Sequence, residues 1–320
     1  MELTSVQQRT LRELIGQGKP PEPSPDLADR IRTRLEEELR CAGVEQAPWT
    51  AGRPFWVGKS LLNDHDRCEG LFEARLRKEG PPFEHSAVSA AGALFHKTIE
   101  IDVVTEGAAD LRSVGERAAL RMTQTDPRFT AFWESLDTFD HAELVAEAGR
   151  RLGLFRDSFP PLHRRWQPQT ELSLRVRLVD GCVVLSGAPD LVLGRTRRLI
   201  IDFKSGGAWP EHPEDARFYA LLLLLRSGLA PYRVATFFLQ SGDWQSEDVT
   251  EETLRRASGR VVDIVRTAAR LAAGSALALR PGPHCSWCPR ATTCPESRVR
   301  RVPQGDEGGE RNPVAYVTAR

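Results

Sequence analysis

Gly187-Ala188-Pro189-Asp190-Leu191-Val192-Leu193-Gly194-Arg195-Thr196-Arg197-Arg198-Leu199-Ile200-Ile201-Asp202-Phe203-Lys204 is the stretch from which the fold of this chain is read. Two apolar, β-branched runs flank a turn at Gly194-Arg195-Thr196-Arg197, a pattern that predicts a β-hairpin buried along most of its length. Pairing across the hairpin brings Asp190, at the start of one arm, toward Asp202 and Lys204 at the end of the other. In a strand, Asp202 and Lys204 share a face while Phe203 points the other way into packing.

Charges at the end of a buried sheet are costly unless something compensates them. Two carboxylates with a neighbouring backbone carbonyl make a hard-oxygen site suited to Mg²⁺ or Mn²⁺, and a lysine beside it can position or deprotonate a water. Taken alone, a D-x-K triplet reads first as an ion pair at a strand end. Composition bears on the choice. Of 44 basic residues only five are lysines, at 19, 59, 78, 97 and 204, so Lys204 stands alone after residue 97. A chain that writes arginine almost everywhere keeps lysine where a compact, pKa-adjustable charge is needed.

The chain has 320 residues, 40% hydrophobic and 28% charged, enough to bury one large core or two small ones. No stretch reaches the roughly 18 apolar residues of a membrane span, and Met1-Glu2-Leu3-Thr4-Ser5 does not open a signal segment. A cytoplasmic protein with no membrane association is expected. Acidic and basic residues balance at 44 each, so no global field points to nucleic acid. Local clusters at Arg150, Arg151, Arg156, His163, Arg164 and Arg165, and at Arg298, Arg300 and Arg301, read as basic patches or as solvated surface.

Helical spacing is expected over 3–17, 26–43, Ser60 to about Lys78, 86–105, 108–158 with a break at Asp126-Pro127, 212–227 and 250–273. Residues 169–179 alternate as a half-buried strand feeding the hairpin, with Glu171 read first as a solvated strand residue and second as an additional carboxylate facing the site, and 232–239 form a buried strand. Residues 44–58 read as a loop. From residue 298 onward glycine and charge predict a disordered tail.

Cys285-Ser286-Trp287-Cys288 and Cys294 spell C-x₂-C-x₅-C among prolines 281, 283, 289 and 295. Three thiols so close in a cytosolic chain signal a metal, zinc or iron-sulfur, with Cys68, Cys41, Cys182 and His284 as candidates for a fourth ligand.

Pro189-Asp190, eleven residues, then Asp202-Phe203-Lys204 resembles the PD-(D/E)XK nuclease superfamily. Gly92-x-x-x-His96 ahead of the hairpin is similar to its RecB-like branch. The cysteine layout resembles the iron-sulfur subset of that branch, which includes AddB-type helicase-nuclease subunits and CRISPR-associated exonucleases. The resemblance implies that Asp190, Asp202 and His96 bind Mg²⁺ or Mn²⁺, and that Lys204 assists the attacking water on a DNA phosphodiester. It implies further that Cys68, Cys285, Cys288 and Cys294 hold a 4Fe-4S cluster. Relatives carry Gln-x-x-x-Tyr in the helix after the hairpin. Here Tyr219 matches as a DNA contact, Asp215 occupies the glutamine position, and Arg217 is a substitute for that role.

The expectation is an α/β restriction-endonuclease-like core, a mixed sheet from about 169 to 239 flanked by helices and stapled by the cluster. It comprises a helical N-terminal segment (1–58), a nuclease domain (59–297) with a helical insertion (about 108–158), and the tail (298–320). Its function would be metal-dependent cleavage of DNA ends or single strands in repair, recombination or CRISPR-type adaptation, with a helicase or adaptation complex as possible partner. The alternative is a non-catalytic DNA-binding or assembly module that retains the fold, a reading supported by Asp215.

Overall fold

The computed structural model describes residues 2–16, 24–207 and 209–297. Its helices and strands, in order, are α1 (Ser5–Ile15), α2 (Leu27–Cys41), β1 (Phe55–Val57), α3 (Lys59–Arg67), α4 (Glu69–Leu76), α5 (Ala87–Thr105), α6 (Leu111–Thr125), α7 (Pro127–Glu134), α8 (Thr138–Ser158), β2 (Gln169–Thr170), β3 (Leu174–Leu178), β4 (Val183–Gly187), β5 (Leu191–Leu193), β6 (Leu199–Lys204), α9 (His212–Ser227), β7 (Arg233–Phe238), β8 (Asp243–Asp248) and α10 (Glu251–Ala272). The tail expected from residue 298, with Arg298, Arg300 and Arg301, lies outside the described residues.

The predicted hairpin forms as β5 and β6, antiparallel, with Leu191 opposite Ile201 and Leu193 opposite Leu199. Gly194 closes it at φ +86°, where a Cβ would sit 2.1 Å from the Arg197 carbonyl, so the turn excludes any side chain at that point. β6 then pairs in parallel with β7, which gives a five-stranded mixed sheet in the order β2-β5-β6-β7-β8. A second sheet, β1-β4-β3, stands beside it.

β6 is buried on both faces, and its residues divide between two cores. Ile200 joins α2, α9, α10 and the smaller sheet, whereas Leu199, Ile201 and Phe203 join α5, α6 and α8. This alternation is the reason Asp202 and Lys204 face α9 while Phe203 packs among Phe95, Phe155, Phe159 and Phe237. α9 carries the run Leu221 to Leu225, buried throughout, as expected of a helix enclosed on every side. Thr250 caps α10 through Thr253. The mixed α/β arrangement fits a restriction-endonuclease-like fold. Among the described residues no helix is long and apolar enough to cross a membrane.

Three expectations need correction. Residues 44–58 are not a plain loop, since Phe55–Val57 pair in parallel with β4. The helix expected from Ser60 to Lys78 breaks at Cys68, whose φ of −168° and ψ of 132° are extended. The strand expected over 169–179 is two strands in different sheets. Glu171, at φ +48°, turns the chain between them.

Candidate active site

The hairpin brings its two ends together through a backbone bond: the Phe203 amide donates to Asp190 Oδ2 at 2.6 Å. From the opposite side comes α5, whose Gly92 packs against Ser205 Oγ, so that His96 arrives one turn later beside the hairpin end. His96 Nδ1 lies 3.3 Å from Asp190 Oδ1 and 3.9 Å from Glu171 Oε1. Each of His96, Glu171 and Asp190 offers one ligand atom, and these atoms lie within 4.8 Å of one another.

Asp202 sits next to this group, 1% exposed. Lys204 Nζ is 2.6 Å from its Oδ2, and Lys59 Nζ, from the start of α3, is 3.7 Å from its Oδ1. Neither carboxylate oxygen receives a hydrogen bond of good geometry; both meet only the ammonium charges. Asp215 of α9 completes the cluster, 4.0 Å from Lys204 Nζ and held by Asn63 Nδ2 at 2.9 Å.

The electrostatics follow the geometry. Burial alone would raise Asp202, yet Lys204 and then Lys59 hold its carboxyl well below the usual carboxylate range. Burial would lower Lys204, but Asp202 keeps it charged and raised. His96 is likewise raised, because Asp190 outweighs its burial. Glu171 goes the other way: burial and the nearby Asp190 push it up to about 7, although its side chain keeps 41% of its surface exposed. Asp215 is raised by burial, which Lys59 and Lys204 only partly offset. Carboxylates pushed in opposite directions, with an imidazole among them, form an acidic pocket able to hold a divalent cation.

Residues 59–295 match the family model of the PD-(D/E)XK nuclease superfamily. The chain belongs to that superfamily. No curated protein matches it. A crystal structure of SSO0001 aligns with 74% of this chain and 95% of its own, at 12% sequence identity and a TM-score of 0.29, a likeness too loose to carry an argument.

Within this PD-(D/E)XK chain the structure sets His96 and Asp190 at ligand spacing with Glu171, places Asp202 and Lys204 beside that group with Asp202 outside the spacing, and brings in Lys59. Glu171 faces the group because the left-handed turn at its own backbone ends β2 early and aims its carboxylate inward; period-two patterning carries no signal for such a break. Lys59 enters from a helix remote in sequence. The scarcity of lysine that singles out Lys204 applies to Lys59 as well, and was the available signal.

The two expected DNA contacts are placed as follows. Tyr219 is 1% exposed, its ring beneath Lys59 and against Gly187. Arg217 pairs with Glu247 at 2.8 Å and Glu214 at 2.7 Å. The basic cluster at 150–165 is largely paired: Arg150 and Arg151 with Glu147, Arg156 with Asp102, and Arg164 with Glu106.

Cys68, at the α3–α4 break, lines a cavity of about 160 Å³ together with Cys285, Cys288 and Cys294. The Arg280 amide donates to Cys68 Sγ and the Gly282 amide to Cys285 Sγ, each at 3.4 Å. Burial, with the other three thiols, pushes the Cys288 thiol up. Among the described residues no three of these sulfurs gather within 4.8 Å. Cys182 packs at the edge of a hydrophobic core, and Cys41 is exposed.

Proposed function

We propose that this chain is a divalent-metal-dependent deoxyribonuclease of the RecB-like branch, acting on DNA ends or single strands. The observation that carries this reading is Asp202: a carboxylate buried to 1%, with both oxygens lacking a hydrogen bond of good geometry, set between two lysines and beside the His96–Glu171–Asp190 group. A buried charge cluster of this kind is unfavourable for folding and persists where it does chemistry. The donor set, three carboxylates and one imidazole, fits a hard divalent cation.

In this reading His96, Glu171 and Asp190, with Asp202 beside them, would hold Mg²⁺ or Mn²⁺, which would polarise a phosphate oxygen and acidify a water. The Lys204 ammonium, 2.6 Å from Asp202 Oδ2, is placed to orient an attacking water and to stabilise charge growing on the phosphoryl group. Asp190 is fixed in turn by the Phe203 amide, so the hairpin itself sets the carboxylate's direction. Residues 59–297 form the nuclease unit, and repair, recombination or CRISPR-type adaptation is the setting in which such an end-processing activity is used.

The four cysteines around the shared cavity hold a 4Fe-4S cluster in this reading. What supports this reading is the one cavity, of about 160 Å³, that Cys68, Cys285, Cys288 and Cys294 line together.

The test is cleavage of end-labelled single- and double-stranded DNA with Mg²⁺, with Mn²⁺ and with EDTA, on anaerobically purified protein assayed in parallel for iron and zinc. Cation-dependent cleavage and four irons per chain are expected. DNA binding without cleavage under every condition would favour the non-catalytic module that Asp215 suggests, and stoichiometric zinc without iron would refute the cluster.

A further inference from the structure

Two ammonium groups share the Asp202 carboxylate, and one of them comes from outside the hairpin. Lys59 opens α3 and is 9% exposed. Its Nζ lies 3.7 Å from Asp202 Oδ1 and 5.2 Å from the centre of the Tyr219 ring, which encloses the side chain between a carboxylate and an aromatic face. An enclosed lysine is costly unless it is paired. Here Asp202, Asp190, Asp215 and Glu171 all lie close enough to favour its charged form.

Charge bookkeeping gives this placement a meaning. Lys59 Nζ and Lys204 Nζ face the two oxygens of Asp202 at 3.7 and 2.6 Å, so two fixed ammonium charges oppose a cation entering among these carboxylates. Remove Lys59 and the pocket is left with an uncompensated carboxylate, which attracts cations more strongly. We propose that Lys59 supplies a second fixed counter-charge beside Asp202 and thereby holds down the affinity of this pocket for a divalent cation. Lys59 is thus a positioning residue, acting through Asp202. The proposal rests on the nuclease reading in taking His96, Glu171 and Asp190 as the ligands. The charge balance around Lys59 does not depend on what the site cleaves.

Calorimetric titration of Mn²⁺ into the full chain and into Lys59→Met tests this directly. Lys59→Met is expected to bind Mn²⁺ about tenfold more tightly than the parent. Asp215→Asn removes a negative charge from the same cluster and is expected to weaken binding, a shift of opposite sign. General misfolding would weaken Mn²⁺ binding in both variants, so the opposed shifts separate electrostatics from damage. Should Lys59→Met fail the circular-dichroism check for folding, Lys59→Gln takes its place with the same expectation. A folded Lys59 variant that binds Mn²⁺ as the parent does overturns the proposal. DNA cleavage measured on the same samples keeps the two readings apart. A parent that binds Mn²⁺ but leaves DNA intact defeats the nuclease reading alone, whereas a cleaving parent whose Lys59 variant binds Mn²⁺ unchanged defeats this one alone.

Discussion

A carboxylate pinned between two ammonium groups responds differently to the loss of each. Replacing Lys204 with alanine leaves Lys59 to keep Asp202 ionised, so the fold is expected to survive while DNA cleavage falls by about 10²-fold or more. Lys204→Arg is expected to lose most activity too, because a planar guanidinium fits poorly into a site where the native head group is 13% exposed. Parental cleavage rates in either variant would remove Lys204 from the chemistry. His212 offers a pH-dependent readout. Burial, then Lys204, lowers it to about 4, and its Nδ1 accepts the Trp209 amide at 3.2 Å, which requires the neutral ring. The unfolded chain takes up that proton near 6.5, so stability is expected to fall as pH drops from about 6.5 to about 4 and then to stop responding to this group. Urea midpoints measured across that range should lose this slope in His212→Gln. Asp190, Asp202 and Lys204 were legible in the sequence because one local hairpin positions all three. Glu171 was legible only as the second of two readings, since its direction depends on a backbone turn, and Lys59 was not, since its place depends on how α3 docks.

Among the elements, α9 and β4 are locked by a close approach at Gly187. A Cβ there would lie 2.9 Å from Tyr219 Cε1 and 3.0 Å from Leu222 Cδ1, and neither side chain has free space in the core. Gly187→Ala is therefore expected to cost about 1–3 kcal/mol of stability, readable as a lower urea midpoint. Because the displaced helix also carries Asp215, cleavage should decline with it. Parental stability in this variant would mean that α9 tolerates a shift away from the sheet. The same packing seats the Tyr219 ring over Gly187, in the core of the chain. Element boundaries such as 212–227 were readable from caps and glycine. The break at Cys68 was not, because the apolar spacing of α3 and α4 runs through it and only the cysteine's place beside the C-terminal segment requires the kink.

For the molecule as a whole, the segment after α10 returns to the N-terminal side of the fold. Arg290 grips Glu79 through two nitrogens, at 2.7 and 2.6 Å, and Glu73 at 2.6 Å, while the Ala278 amide donates to Glu69 at 2.7 Å. Under the proposed cluster, Cys68→Ser, Cys285→Ser, Cys288→Ser and Cys294→Ser are each expected to lose iron and to lower the melting temperature by several degrees. Cys41→Ser and Cys182→Ser should keep both properties. Iron content and thermal melts of the six variants decide this, and full iron in Cys68→Ser would exclude that thiol as a ligand. The docking itself has a consequence in time. Arg290 is made 217 residues after Glu73, which at about 5–20 residues per second is an interval on the order of ten to forty seconds. Throughout that interval Glu73 has Arg77, one turn further along, for a partner, and its contact with Arg290 is still missing. α4 therefore gains its grip on the C-terminal segment only once translation has passed residue 290.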